Sequence, residues 1–202
     1  MDELAAGQWR VVLDQAHSAL RTIAEGVPAD AWDRSTPCEL WTVTQVLQHA
    51  TGDQIGYAAA ITGGAGPEED PFAPSGRIEG DKLIGLNAAL DASARAWAGV
   101  GEDDPQVPTP LPQGALPASV AAVACALDAA VHAWDIAVAT GQPSPLHDDL
   151  ARPLIEVARQ IVEPLRAYGA YAAALDPGEE ADEVSVLLAY LGRDSRWAES
   201  RR

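Results

Sequence analysis

Ala126-Leu127-Asp128-Ala129-Ala130-Val131-His132-Ala133-Trp134-Asp135 sits inside an apolar, alanine-rich segment. Alanine is the strongest helix former, so the segment is expected to be a core helix. Asp128 and His132 are four residues apart, which on a helix places both side chains on one face, one turn apart. A carboxylate and an imidazole so placed can share one metal ion if a third ligand arrives from elsewhere. His49 is the candidate for that third ligand. By position alone a hydrogen-bonded core histidine is favoured over a ligand there.

The helix carrying this pair is expected to begin near Pro117, which suits a first helical position, and to end before Gly141, with Pro143 beyond. Val120, Val123, Leu127, Val131, Trp134 and Val138 form its core stripe. Cys125, Asp128, His132 and Asp135 form a second line beside it. An inward carboxylate without a partner is expensive to bury, which favours a paired or metal-bound role for Asp128. Asp135 is expected to hydrogen-bond the His132 imidazole and fix its tautomer. Cys125 is expected to be a small core residue, with nucleophile or extra ligand as the alternatives.

His49 belongs to the best-marked helix start in the chain. Thr42 and Gln45 make a capping box, flanked by Trp41 and Val46 as a hydrophobic staple. Val43, Val46, Leu47, Ala50, Tyr57, Ala58 and Ile61 continue the stripe until Gly63-Gly64. An earlier helix is expected over residues 2–25, with Trp9, Val12, Leu13, Ala16, Leu20 and Ile23 inward and His17 at the boundary or surface. A third is expected over 78–98, a fifth over 148–171 with a kink or end at Pro164, and a short last helix around Val184 to Leu191. Residues 63–76 read as a flexible loop and 99–114 as a long connection of the kind that borders sites. Cys38 is expected to pack in its loop and His147 to be solvated. No repeat or second core is visible, so one all-α domain over 1–202 is expected.

Composition agrees with helices. The chain is 48% apolar, yet six of its eleven aromatic residues are Trp and the rest of the apolar content is aliphatic or Ala. The balance of 30 Asp+Glu against 13 Lys+Arg gives a net charge of -17. Such a surface repels phosphate backbones and anionic lipid but not a bound cation. No apolar run is expected to reach the roughly 20 residues of a membrane span. Met1-Asp2-Glu3-Leu4 lacks the basic and apolar regions of a secretory signal, and two cysteines make no disulfide framework, so a cytoplasmic protein is expected.

Three stretches together resemble a known family: Thr36-Pro37-Cys38-Glu39-Leu40-Trp41-Thr42-Val43 followed by His49; Asp128 through Gly141; and Leu187-Leu188-Ala189-Tyr190-Leu191-Gly192-Arg193-Asp194. They resemble the actinobacterial metal-binding proteins related to the N-terminal domain of mycothiol-dependent maleylpyruvate isomerase, in the DinB/YfiT-like superfamily. The resemblance spans nearly the whole chain. It implies a four-helix bundle with extra C-terminal helices, and a divalent metal, usually zinc, on His49, Asp128 and His132. The isomerase has Glu where this chain has Asp128, which is one methylene shorter. The isomerase also carries a second domain for which no room is expected here, so maleylpyruvate isomerisation itself is not expected.

Two imidazoles and one carboxylate leave coordination positions open, the layout of a catalytic zinc site. An open metal can hold a thiol as thiolate or activate water. The resemblance implies mycothiol as the thiol and a transferase or isomerase acting on a small electrophile. A metal-binding sensor or interaction protein without turnover is the alternative, and a plain bundle whose His and Asp satisfy one another is the third. Spare apolar faces would suit a homodimer.

Overall fold

The computed structural model describes residues 7–38, 40–167 and 169–198. Six helices follow one another: α1 (Gln8–Glu25), α2 (Val43–Thr62), α3 (Lys82–Ala98), α4 (Ala118–Thr140), α5 (Asp148–Ala167) and α6 (Glu183–Tyr190). No strand occurs among the described residues; two isolated bridges, Ser35 with Thr42 and Val107 with Leu116, close turns. The all-α expectation holds.

Helix α4 is the axis. It packs against α1, α2 and α5, while α3 lies on α2 and α6 on α5. Ten of its 23 residues are alanine, and it is buried on nearly every side. Small side chains let neighbouring helices approach closely around it, and a helix enclosed all round shows no single apolar face. The expected one-sided stripe is therefore too narrow: Ala121, Ala122, Ala129 and Ala130 are buried, while Val120 and Val138 are half-buried. The expectation about apolar runs is also corrected. Helix α4 is long and apolar enough to cross a membrane by length and composition, and 89% of that stretch is buried inside the protein.

Local chemistry sets the ends. The Gln45 amide donates to Thr42 Oγ1 at 3.4 Å and the Thr42 amide to Gln45 Oε1 at 3.0 Å, so the capping box opens α2 as expected. Gly63 and Gly141 adopt left-handed φ of 71° and 77° and stop α2 and α4. Helix α3 starts at Lys82 rather than 78, because Gly80 turns the chain at φ 76° and Asp81 caps the Leu83 amide. Helix α5 passes Pro164 but ends at Ala167 rather than 171. The Ala170 amide donates to the Leu165 carbonyl and Gly169, at φ 80°, to that of Arg166, a terminating pattern. The part of the first expected helix at residues 2–6 lies outside the described residues, as does Glu39 of the motif beginning at Thr36.

Two further readings change. His17 is buried rather than at the surface, with Nε2 2.8 Å from Gln54 Oε1. The loop after α2 is tied down: Gln45 Nε2 donates to the Pro74 carbonyl, Gln48 Nε2 to that of Arg77, and the Gly76 amide to Gln48 Oε1.

Candidate metal centre

Helices α2 and α4 bring the three sequence candidates together. One imidazole nitrogen of His49, one of His132 and an Asp128 carboxylate oxygen lie within 4.8 Å of one another. His49 Nε2 is 3.1 Å and His132 Nε2 3.3 Å from Asp128 Oδ1. The side chains of His49, Asp128 and His132 keep 8, 14 and 8% of their exposure, so the group is nearly closed to solvent.

The other nitrogen of each ring is already committed. His49 Nδ1 donates to the Pro71 carbonyl at 2.9 Å, and a carbonyl can only accept. His132 Nδ1 donates to Asp135 Oδ2 at 2.9 Å. Both rings therefore present Nε2, carrying a lone pair when neutral, to the same carboxylate oxygen. Three acceptors converging in a buried space repel one another unless a proton or a cation lies among them. Asp128 Oδ2 is in addition buried without a hydrogen-bond partner. This donor set fits a divalent cation, with two imidazoles and a carboxylate as the available ligands.

The electrostatics carry the same imprint. Burial opposes the charged form of His132, but Asp128 and Asp135 outweigh it and take its pKa up to about 9. Burial would raise the Asp128 carboxyl, but the two imidazoles hold it well below the ordinary carboxylate range. With no ion bound, protonated His132 beside ionised Asp128 supplies the positive charge that a bound cation would supply.

Supporting residues fix these positions. Asp135 is fully buried, and Arg193 grips it from the turn after α6: Nε to Oδ1 at 2.9 Å and Nη2 to Oδ2 at 2.8 Å. The expected Asp135–His132 hydrogen bond is thus present and is backed by a guanidinium. Gly52 opens the way for Pro71: a Cβ there would stand 2.9 Å from Pro71 Cγ. Thr36 Oγ1 donates to the Trp41 carbonyl, folding the segment that lays Trp41 against His49, with ring centroids 4.7 Å apart, and 6.4 Å from His132. Phe72, exposed to solvent, stands edge-on to His49 with ring centroids 5.5 Å apart.

Cys125 is fully buried; its thiol donates to Gln54 Oε1 at 3.2 Å, and burial pushes its pKa up, so it sits as a neutral core group. Arg193 and Asp53 escaped the sequence reading. Arg193 lay in a quoted motif without a role, and nothing local to it points to α4. Asp53 follows His49 by four residues, the same spacing that exposed the Asp128–His132 pair. Burial and the nearby Asp128 charge push the Asp53 carboxyl well above its ordinary pKa, with His132 opposing.

The sequence model of the mycothiol maleylpyruvate isomerase N-terminal domain matches residues 13–137. The uncharacterized proteins MT0763 and Rv0738 of Mycobacterium tuberculosis, strains CDC 1551 and H37Rv, are each 32% identical over 200 residues, covering 97% of this chain and all of theirs. The crystal structure of a histidine-to-alanine mutant of mycothiol-dependent maleylpyruvate isomerase superposes with a TM-score of 0.59 at 18% identity, over 87% of this chain and 78% of that one. With the match of the family model over more than half its length, the chain belongs to the mycothiol maleylpyruvate isomerase N-terminal domain family.

Proposed function

We propose that the chain binds one divalent metal ion, zinc by the chemistry of its donors, through His49, Asp128 and His132, and serves as a thiol-dependent transferase or isomerase acting on a small electrophile, with a mycothiol-type thiol. The observation that carries this reading is the convergence of two Nε2 atoms on Asp128 Oδ1 while both Nδ1 atoms are engaged elsewhere. Bound there, a divalent ion would supply the Lewis acidity that lowers the pKa of a coordinated thiol.

The chain's own residues do the rest. The Pro71 carbonyl and Asp135 hold the two rings in the tautomer that leaves Nε2 free. Arg193 holds Asp135. Trp41 and Phe72 set apolar ring surface against His49, which suits an electrophile with a flat apolar part.

Metal analysis of the purified protein tests the site. Wild type is expected to carry about one ion per chain and His49→Ala or His132→Ala to lose it. Stoichiometric metal in both variants would end the assignment. Incubation of the metal-loaded protein with mycothiol and electrophiles tests turnover. Metal retention without thiol consumption would leave a binding protein rather than an enzyme.

A further inference from the structure

Helix α5 ends at Ala167, and the segment that follows, with Tyr171 in it, lies against α6. Its course is fixed at several points. Arg166 donates to the Ala172 and Tyr190 carbonyls, and the Leu175 amide donates to the Ala189 carbonyl at 2.8 Å. Gly192 meets the segment so closely that a Cβ there would stand 2.7 Å from Ala172 Cβ and 2.9 Å from the Ala173 oxygen. Gly192 adjoins Arg193, which grips Asp135 behind His132. Tyr171 is therefore held beside the turn that supports the metal centre, half-buried and packed on the core.

Its electrostatic surroundings are those of the centre. Burial and then the charge of Asp128 push the Tyr171 hydroxyl above its ordinary pKa, with Arg193 opposing and Asp53 adding. The phenol keeps its proton at neutral pH and can donate a hydrogen bond. No described residue accepts that bond. Asp128, the charge acting on it most, does not: its Oδ1 faces the two rings and its Oδ2 has no partner. The donors nearer the cluster are committed, both Nδ1 atoms to Pro71 and Asp135, and Arg193 to Asp135 and the Leu191 carbonyl.

A thiol held on the ion as thiolate presents an anionic sulfur, which accepts hydrogen bonds and has no proton to give. We propose that Tyr171 positions this thiolate, its hydroxyl donating to the metal-bound sulfur from the α5–α6 side of the His49–Asp128–His132 cluster. The proposal deepens the thiol-dependent reading above and rests on it. The hydrogen bond favours thiolate over thiol, and the phenol keeps its proton throughout.

Cobalt(II)-loaded protein reads this contact without any turnover. N-acetylcysteine is titrated into wild type, Tyr171→Phe and Tyr171→Leu, and the near-ultraviolet sulfur-to-cobalt charge-transfer band is followed. Cobalt content is measured in parallel, and circular dichroism shows which variants are folded; either folded variant decides. A donor on the sulfur lowers the energy of its lone pairs. Without it the band is expected to move to longer wavelength and thiol affinity to fall about tenfold, with about one cobalt per chain retained. A band that does not move overturns the proposal at any affinity, because a packing role would weaken binding without touching the sulfur. Loss of cobalt from folded Tyr171→Phe overturns it too, since the residue would then serve the ion's own site. Wild-type protein that binds cobalt but gives no band overturns the thiol reading and this inference with it, and wild type without cobalt overturns the metal site first.

Discussion

Replacing Arg193 with methionine removes a charge at nearly constant side-chain volume and exposes how much the centre depends on a residue 58 positions from Asp135. Asp135 is fully buried and Arg193 is 8% exposed, so water screens neither. The guanidinium supplies two charge-assisted hydrogen bonds, at 2.9 and 2.8 Å. In the variant Asp135 Oδ1 has no partner, and the carboxylate keeps only His132 on Oδ2. Breaking a buried pair by removing one member costs about 3–5 kcal/mol. For a chain of this size each kcal/mol moves the midpoint by about 2–4 °C, so a fall of roughly 6–20 °C is expected.

Thermal unfolding of metal-free protein at neutral pH, followed by circular dichroism, measures it. The pH dependence gives a second check. Burial alone would raise the Asp135 pKa, but Arg193 and His132 hold it below the ordinary carboxylate value. A carboxyl lowered in the folded state contributes stability above its unfolded pKa, about 4, and loses it as pH falls through the folded value. The gap between wild type and variant should therefore be widest above about pH 5 and close in acid. A midpoint change under about 3 °C, or a gap that widens in acid, would refute the argument.

In the metal-free protein the stabilisation from His132, whose pKa stands at about 9, is complete below the unfolded histidine value and is lost as pH rises through the folded one. A cation must displace that proton, so apparent metal affinity, measured by chelator competition, is expected to rise from neutral pH toward about 9 with proton release, and a flat profile would contradict a protonated His132. Cys125 is expected to resist alkylation in the native protein and to react once the chain is denatured, because its buried thiol stays protonated. Labelling of native Cys125 at the rate of an exposed thiol, read by mass spectrometry, would disprove that placement.

Features that depend on neighbours in sequence could be read directly. The Thr42–Gln45 capping box, the stop at Gly141 and the Asp128–His132 pair all follow from spacings of three or four residues. The His49 placement needed one further fact, that α2 packs on α4, and the resemblance supplied it. The errors came from tertiary context. His17 looked peripheral because nothing local predicts Gln54 as a buried partner from another helix. The loop after α2 looked mobile because its Gly, Pro and acidic residues say nothing of Gln45, Gln48 and His49 reaching into its backbone. The all-round burial of α4 was hidden because alanine fits a half-exposed helix as readily as an enclosed one. Arg193 illustrates the limit most clearly: its neighbours Gly192 and Asp194 give no sign that its partner is on the central helix.

The anchor of His49 is a main-chain oxygen, that of Pro71, and the space for it comes from the bare Cα of Gly52. Evolution can thus rewrite most side chains between α2 and α3 without disturbing the imidazole, whereas a one-residue insertion or deletion there, or any bulk at position 52, shifts the oxygen and frees the ring. Homologues should accordingly drift in composition along this connection while conserving its length.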